Sequence, residues 1–166
     1  MPITISDERV AQVTNVVRCW TKSFMPFDGE NTPEILLSCF DPKVEWYDHG
    51  FHVVRVGHKA ILGLHESFLH CNQPFQAEIK SLEVTATGAG VQQLWIGTCK
   101  NDIVRPDGKV VMKGSGRAFR NHVGFFLKID DAGKITRIDE YDHRYWDEGK
   151  PEADYQRVEV GLKADL

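Results

Sequence analysis

Apolar side chains recur at helical spacing in three segments of the first 72 residues. Ser6 or Asp7 can cap a first helix, which Pro26 and Gly29 end. The apolar stripe of that helix is Val10, Val13, Val17, Trp20 and Phe24. Residues 32–34, Thr-Pro-Glu, begin a short second helix, with Ile35, Leu36 and Phe40 predicted to face inward. Gly57 opens a third helix, which residues 72–74, Asn-Gln-Pro, stop.

The stretch between the second and third helices alternates as a strand does. Residues 43–50 read Lys-Val-Glu-Trp-Tyr-Asp-His-Gly, and residues 50–56 follow as a loop or short hairpin. One predicted face carries Val44, Trp46 and Asp48, and the other carries Glu45, Tyr47 and His49. An apolar face that ends in a carboxyl group suits a pocket wall, where Asp48 can carry a proton. It equally suits a strand end at which Asp48 caps the next turn.

From residue 75 onward the apolar period becomes that of strands. Four strands are predicted, at residues 75–87, 90–102, 110–129 and 134–144, and Gly-containing turns join them. The third is too long to be straight, and Gly114, Gly116 and Gly124 are places where it can bulge. The element order predicts an α+β domain in which a cone-shaped, curved, antiparallel or mixed sheet wraps around the N-terminal helices as an α+β barrel. The open mouth of such a cone suits a small apolar ligand.

Composition excludes several classes of function. The 166 residues carry a net charge of -4 without a basic run, which argues against binding to nucleic acid or an anionic membrane. The four cysteines are widely spaced and form no metal motif, so we expect reduced cysteines and no metal. No Gly-rich loop follows a strand as nucleotide binding requires, and we expect no cofactor. The first residues lack the pattern of a secretory leader, and we expect a cytoplasmic protein. A single domain is predicted at residues 1–146, with a polar tail at 147–166 that can pack on a partner subunit.

Two local patterns then point to a family. One is the strand end at residues 46–48, Trp-Tyr-Asp, with the helix-opening Gly57 nine residues later. The other is residues 123–129, Val-Gly-Phe-Phe-Leu-Lys-Ile, followed after a turn by residues 133–141. Over residues 10–145 the chain resembles the nuclear transport factor 2-like superfamily, and within it the SnoaL-like polyketide cyclases and isomerases. That superfamily also holds ketosteroid isomerases, epoxide hydrolases, scytalone dehydratases and non-catalytic binding modules, so the fold leaves the function open.

The resemblance implies roles for three residues. Asp48 stands where ketosteroid isomerases place the carboxylate that moves a proton between carbons. Glu140 stands where limonene-type epoxide hydrolases place a last-strand carboxylate. The Arg and Asp that those hydrolases also use are not found in residues 94–99, Leu-Trp-Ile-Gly-Thr-Cys. Asn121 stands where scytalone dehydratases place a substrate-binding Asn.

The alternation of side chains along the strands adds further candidate site residues. The alternate positions from residue 123 to residue 129 are apolar, and the same alternation continues back through Asn121, Phe119 and Arg117. It favours Asn121 over His122 as the residue that faces the cavity, unless Gly124 reverses the alternation. Asn121, with Arg117 or Tyr47, would hold a developing oxyanion, although Arg117 also fits a solvated strand charge. Glu140 shares a face with Ile138 and fits either a buried general acid or an exposed ion pair. The predicted substrate-binding residues are Trp20, Trp46, Tyr47, Phe68, Arg117 and Phe119.

These observations together predict a cofactor-independent isomerase or cyclase of a secondary-metabolite pathway. Its substrate would be an apolar, oxygenated polyketide, terpenoid or alkaloid, with Asp48 and Glu140 dividing the base and acid roles. The alternatives are an epoxide hydrolase or dehydratase in the same cavity, and a non-catalytic ligand- or protein-binding module. Apolar residues predicted to face outward, namely Val91, Trp95 and Tyr141, indicate a homodimer.

Overall fold

Three helices form where the apolar stripes predict them. The computed structural model describes residues 4–105 and 107–142, and its helices are α1 (Asp7–Ser23), α2 (Pro33–Ser38) and α3 (Gly57–Cys71). The Ser6 hydroxyl caps α1 by accepting a hydrogen bond from the Arg9 N–H at 3.2 Å, and the Thr32 hydroxyl caps α2 in the same way. Val10 and Ile35, which the stripes place inward, are each 38% exposed.

Eight strands make up two sheets. The strands are β1 (Phe40–Asp48), β2 (Val53–Val56), β3 (Asn72–Thr85), β4 (Gly88–Cys99), β5 (Ile103–Val104), β6 (Val110–Met112), β7 (Ala118–Ile129) and β8 (Ile135–Tyr141). The larger sheet has six strands in the order β2-β1-β8-β7-β4-β3, while β5 and β6 pair as a separate hairpin. The α+β prediction with a mixed sheet that curves around the helices is confirmed. The sheet is open rather than a closed barrel, with β2 and β3 as its edges.

The parallel pairing of β1 with β8 positions the candidate site. Every other neighbouring pair in the large sheet is antiparallel, whereas β1 and β8 run in the same direction. Their register places Trp46 opposite Ile138 and Asp48 opposite Glu140. Because side chains alternate along a strand, the inward faces of both strands coincide, and Val44, Trp46, Asp48, Ile138 and Glu140 are all buried. The alternation predicted for both strands is therefore confirmed.

The strand predicted at residues 110–129 is wrong as a single element. It is divided into β6 and β7, and residues 113–117 between them are not in a strand. Gly114 lies against the backbone of Lys100, so closely that a Cβ atom would come within 2.5 Å of the Lys100 carbonyl oxygen. The Gly114 N–H donates to the Asp102 carboxylate at 2.8 Å. This close approach turns the chain away from the main sheet and detaches the β5–β6 hairpin from it.

Two of the three residues that were predicted to face outward are buried instead. Trp95 and Val91 are only 4% exposed, because β4 pairs with β7 in a register that sets them opposite the buried Asn121 and Phe125. Tyr141 is 51% exposed, as predicted. The outer face carries Phe126 beside it instead, 63% exposed and with its ring centroid 5.9 Å from that of Tyr141. The predicted tail at residues 147–166 lies outside the described residues.

Candidate active site

A cavity of about 880 Å³ opens at the end of the β1–β8 pair. Strands β1, β2 and β8, helix α3 and the β5–β6 hairpin contribute its wall. Its aromatic members are Phe24, Trp46, Phe51, Phe68 and Trp95. Its charged members are Asp48, Glu140 and Asp142, together with Arg55, Arg105 and Lys109. The size and the mainly apolar lining are typical of sites for small molecules.

Asp48 is held at the cavity wall by two polar contacts. It is 6% exposed, and its Oδ1 accepts a hydrogen bond from the Phe51 N–H at 2.9 Å. Its Oδ2 pairs with Arg55 Nη1 at 3.2 Å. The carboxylate therefore caps the turn after β1 and also lines the cavity, so the two positions that the sequence suggested for it are compatible. A buried carboxylate that is fixed by a guanidinium and a backbone donor keeps a defined orientation.

Glu140 occupies a very different environment. It is 5% exposed, and its Oε2 accepts a hydrogen bond from Trp46 Nε1 at 2.6 Å. Burial raises the pKa of Glu140 well above the usual range of a glutamate, and the negative charges of Asp48 and Asp142 raise it further. The Trp46 hydrogen bond and the charge of Arg55 oppose this shift without cancelling it. Glu140 is therefore a carboxyl group that holds a proton more firmly than a solvated one does.

The arrangement places two carboxyl groups in unlike settings side by side. Asp48 and Glu140 are cross-strand neighbours, and their side chains line the same cavity. One is a carboxylate paired with Arg55, and the other is a carboxyl group in an apolar setting against an indole. Two carboxyl groups in such unlike settings can divide the roles of proton acceptor and proton donor.

Asn121 and His122 lie on the faces of β7 that the alternation of side chains predicts. Asn121 is 2% exposed and faces inward, and its Nδ2 has no hydrogen-bond partner among the described residues. His122 lies on the opposite face, where its Nδ1 is 3.0 Å from Gln92 Nε2. Asn121 is not among the residues that line the cavity in the described part of the chain. Asn121 is therefore buried as expected, but it does not line the cavity as predicted.

The predicted substrate-binding residues divide into two groups. Trp46 and Phe68 line the cavity, whereas the other four, Trp20, Tyr47, Arg117 and Phe119, are not among its described lining residues. Trp20 is a core residue that packs edge-on against Trp46 and Phe125, and Phe119 is 1% exposed. Tyr47 lies on the outer face of β1, where the Arg137 guanidinium stacks 3.9 Å from its ring centroid. Arg117 is exposed and precedes β7, because residues 113–117 break the strand on which its predicted parity rests.

The sequence analysis missed four charged residues of the cavity, namely Arg55, Arg105, Lys109 and Asp142. Arg55 reaches Asp48 because the β1–β2 hairpin sets it opposite Trp46, on the inward face. A single charge in the run Val53-Val54-Arg55-Val56 was the available signal, but its direction depends on the hairpin register. Asp142 continues the alternate positions of Ile138 and Glu140, so the sequence already placed it on the same face as these two residues.

Three further findings concern metal sites, cysteines and membrane-spanning helices. Within residues 4–105 and 107–142, no group of three or more His, Cys, Asp or Glu side chains is placed to hold a metal ion. All four cysteines are free. None of the helices in the described part of the chain has the length and apolar character needed to cross a membrane.

The sequence profile of the SnoaL-like domain matches residues 23–138, which is most of the described chain. The chain belongs to the SnoaL-like domain family. The predicted membership in the nuclear transport factor 2-like superfamily and its SnoaL-like branch is thereby confirmed. No curated protein sequence is significantly similar to this SnoaL-like domain.

Solved structures share the fold of this SnoaL-like domain. A candidate SnoaL-like polyketide cyclase from Jannaschia sp. CCS1 is 13% identical, with a TM-score of 0.68 over 85% of this chain and 91% of that one. TsrD from Streptomyces laurentii is 14% identical, with a TM-score of 0.60 over 84% and 91% of the two chains. A hypothetical protein with a ketosteroid isomerase-like fold from Catenulispora acidiphila, solved in complex with trimethylamine, is 14% identical, with a TM-score of 0.60 over 77% and 85%. At these identities the likeness establishes the cone fold alone.

Proposed function

We propose that this SnoaL-like domain is a cofactor-independent isomerase or cyclase of secondary metabolism. Its substrate is an apolar, oxygenated small molecule of polyketide, terpenoid or alkaloid type. The observation that carries the proposal is the cross-strand pair of Asp48 and Glu140 in an apolar cavity of about 880 Å³. The family match and a structural neighbour described as a candidate polyketide cyclase support the same class of chemistry.

The proposed mechanism is proton transfer between two positions of the substrate. The Asp48 carboxylate accepts a proton from a carbon next to a carbonyl group, and the electron pair of the broken C–H bond moves toward the carbonyl oxygen. Protonated Glu140 donates a hydrogen bond or its proton to that oxygen, where negative charge develops. The Trp46 N–H then stabilises the Glu140 carboxylate left behind. In an isomerisation Asp48 returns its proton to a different carbon, and the enol O–H returns its proton to Glu140 as the carbonyl re-forms. In a cyclisation the enol carbon attacks a second carbonyl, the enol O–H returns its proton to Glu140, and Asp48 protonates the new alkoxide.

Other residues of the site assist Asp48 and Glu140 in this scheme. Arg55 and the Phe51 N–H hold Asp48 in position. Trp46 and Phe68 contribute to the apolar wall. Asn121 is buried outside the described lining of the cavity, and we assign it no step.

A non-catalytic binding module is the main alternative of another class. Such a module would be favoured by exposed carboxylates and a cavity filled by aromatic side chains. Asp48 and Glu140 are instead 6% and 5% exposed and line an open cavity, which favours an enzyme. A dehydratase or epoxide hydrolase would use the same buried acid, and the reaction product distinguishes these possibilities.

The proposal is tested with a small-molecule extract from cells that lack the protein. Purified protein, dialysed against a chelator, is incubated with this extract in D₂O, and the products are followed by mass spectrometry. We expect one compound to be replaced by an isomer that carries deuterium on carbon, because Asp48 exchanges its proton with solvent. A product that differs by one water indicates the dehydratase or the epoxide hydrolase. A compound that is retained by the protein but left unchanged contradicts the proposal and indicates a binding module.

We propose a homodimer through a different set of residues from the one that the sequence indicates, with only Tyr141 in common. Phe126 and Tyr141 form an exposed aromatic pair on the outer face of the sheet, and His49 stacks on Tyr141 with ring centroids 4.6 Å apart. Phe126→Lys is expected to turn a dimer into a monomer in light scattering, because a lysine on each partner would meet at the centre of a symmetric interface. An unchanged molar mass of the variant, or a monomeric wild type, contradicts this.

A further inference from the structure

We infer that Arg55 donates hydrogen bonds to the substrate oxygen on which negative charge develops, in addition to holding Asp48. The inference rests on the proposed function, because it adds a catalytic residue to the same reaction. It requires the enolisable carbonyl group of the substrate to lie beside the guanidinium group.

The guanidinium group of Arg55 has donors that the fold does not use. Arg55 lines the cavity, and its side chain is 21% exposed. Its Nη1 contacts Asp48 at 3.2 Å, whereas Nε and Nη2 have no hydrogen-bond partner among the described residues. Neither of these two nitrogens is an enclosed atom, so both are open to a ligand. A guanidinium keeps its charge and presents five N–H donors in one plane, which suits an oxygen anion.

The cavity needs a donor of this kind beside Glu140. The sequence favours Asn121, with Arg117 or Tyr47, as the oxyanion donor, but none of the three is among the described lining residues. Arg55 is placed to take this role, because its charge lowers the pKa of Glu140 against the larger effect of burial. The guanidinium and the Glu140 carboxyl group therefore lie within electrostatic reach of each other. Both can act on one substrate oxygen.

The movement of the proton changes the charge that Arg55 balances. In the resting site the Asp48 carboxylate balances Arg55 as an ion pair. When Asp48 accepts the proton from carbon, its carboxylate becomes neutral, and the electron pair of the C–H bond places negative charge on the substrate oxygen. The guanidinium then balances this oxygen instead of the carboxylate. An interaction that is stronger in the transition state than in the ground state accelerates the reaction.

The other charged groups of the cavity do not replace Arg55. Arg105 and Lys109 line the cavity from the β5–β6 hairpin, and both are exposed to solvent, which screens their charges. The negative charge of Asp142, just after β8, raises the pKa of Glu140 and so helps to keep it protonated. The same charge repels a developing oxyanion. Arg55 is the cation that offsets this repulsion at the Glu140 end of the cavity.

The test uses Asp48→Asn, which is neutral like protonated Asp48 and still accepts the Phe51 N–H. Calorimetry compares p-nitrophenolate, an enolate analogue, with p-nitroaniline, which has a similar shape and no charge, at a pH at which the phenol is ionised. We expect Asp48→Asn to bind the anion at least about tenfold more tightly than the wild type does, which corresponds to about 1.4 kcal/mol. The affinity for p-nitroaniline should change little. Adding Arg55→Gln should remove the gain, whereas adding Lys43→Gln, which removes the same charge from the exposed side of β1, should keep it.

The absorption band of the bound anion reports hydrogen bonding directly. It moves to longer wavelength when hydrogen bonds to the phenolate oxygen are lost, so it should move in this direction when Arg55→Gln is added to Asp48→Asn. Thermal unfolding checks that each variant is folded. Arg55→Met, which keeps the apolar stem of the side chain, replaces Arg55→Gln if that variant does not fold.

Two results overturn the inference. One is an Asp48→Asn variant that binds p-nitrophenolate no more tightly than the wild type does. The other is a gain that survives the removal of Arg55, and its loss with Arg105→Gln would then place the anion at the hairpin.

The outcome is separate from that of the proposed function, which deuterium transfer in D₂O tests. Deuterium transfer without the gain in affinity leaves an enzyme in which Glu140 alone acts on the oxygen and Arg55 only positions Asp48. The gain without deuterium transfer refutes the proposed function and leaves an anion site in a binding module.

Discussion

Replacing Asp48 by Asn is expected to lower the turnover of the native substrate by about 10²–10⁴-fold, the usual contribution of a positioned general base. An amide cannot accept a proton from carbon at neutral pH, but it can still accept the hydrogen bond that the Phe51 N–H donates to Asp48 Oδ1 at 2.9 Å. The turn after β1 should therefore keep its shape. Glu140→Gln is expected to cause a loss of similar size, because the amide cannot deliver the proton that the carboxyl group holds.

Metabolite profiling of the producing cell measures this effect before the substrate is known. Cells that carry either variant should accumulate the upstream compound, or form a product with a different skeleton. Glu45→Gln is the matched control, because Glu45 lies on the outer face of the same strand and a change there should leave the profile intact. Thermal unfolding of the purified variants separates loss of chemistry from loss of fold. Folded variants with an unaltered profile would refute the two-carboxylate mechanism and favour the binding module.

Glu140→Gln is also expected to change how the stability of the protein depends on pH. The pKa of Glu140 is raised in the folded state, so between its unfolded and folded pKa values the folded state binds more protons than the unfolded state. The favourable contribution of the proton is fully present below the unfolded pKa, about 4.3 for a glutamate, and is lost as pH rises through the folded pKa. The wild type should lose stability over this interval. The variant lacks the titrating group and should lose less.

Urea unfolding at a series of pH values above about 5 measures the difference. The free energy of unfolding of Glu140→Gln should approach and then exceed that of the wild type as pH rises, because the amide can still accept the Trp46 N–H without a buried charge. Glu45→Gln should follow the wild-type curve. Parallel curves for wild type and Glu140→Gln would mean that Glu140 is ionised in the folded protein throughout, and would remove the proposed general acid.

The sequence predicted the elements of the site best where one face of a strand is buried and the other is not. Trp46 and Asp48 on β1, and Ile138 and Glu140 on β8, alternate with half-buried or exposed neighbours, so parity assigns their direction correctly. Tyr47 follows the same rule, since it lies on the outer face beneath Arg137. Its assignment to the site rested on its hydroxyl group rather than on its parity.

Parity was uninformative on β4 for a physical reason. Gln93, Leu94 and Trp95 are consecutive and all buried, because both sides of the sheet are covered there. A strand buried on both faces gives no alternation from which a direction can be inferred. The outward direction predicted for Trp95 and Val91 was therefore wrong, while Tyr141, at the end of a one-sided strand, was placed correctly.

Arg117 and Arg55 show a second limit, which is register. The alternation along β7 was extended back to Arg117, which lies just before the strand begins, in the break at residues 113–117 where Gly114 lies against Lys100. Arg55 enters the cavity only because the hairpin pairs it with Trp46. A shift of a strand by one residue reverses the direction of all its side chains. The local composition shows neither the break before β7 nor the register of the β1–β2 hairpin.

The parallel pairing of β1 with β8 has a consequence for the protein during its synthesis. A nascent chain that leaves the ribosome forms the β1–β2 hairpin early, but the other edge of β1 has no partner until β8 is made, because β8 is its neighbour in the finished sheet. Until then Trp46 and Asp48 lie at an open edge that other chains can pair with. The pairing of β8, the last strand of the described residues, thus covers the open edge of β1 and brings Glu140 beside Asp48 in the same step.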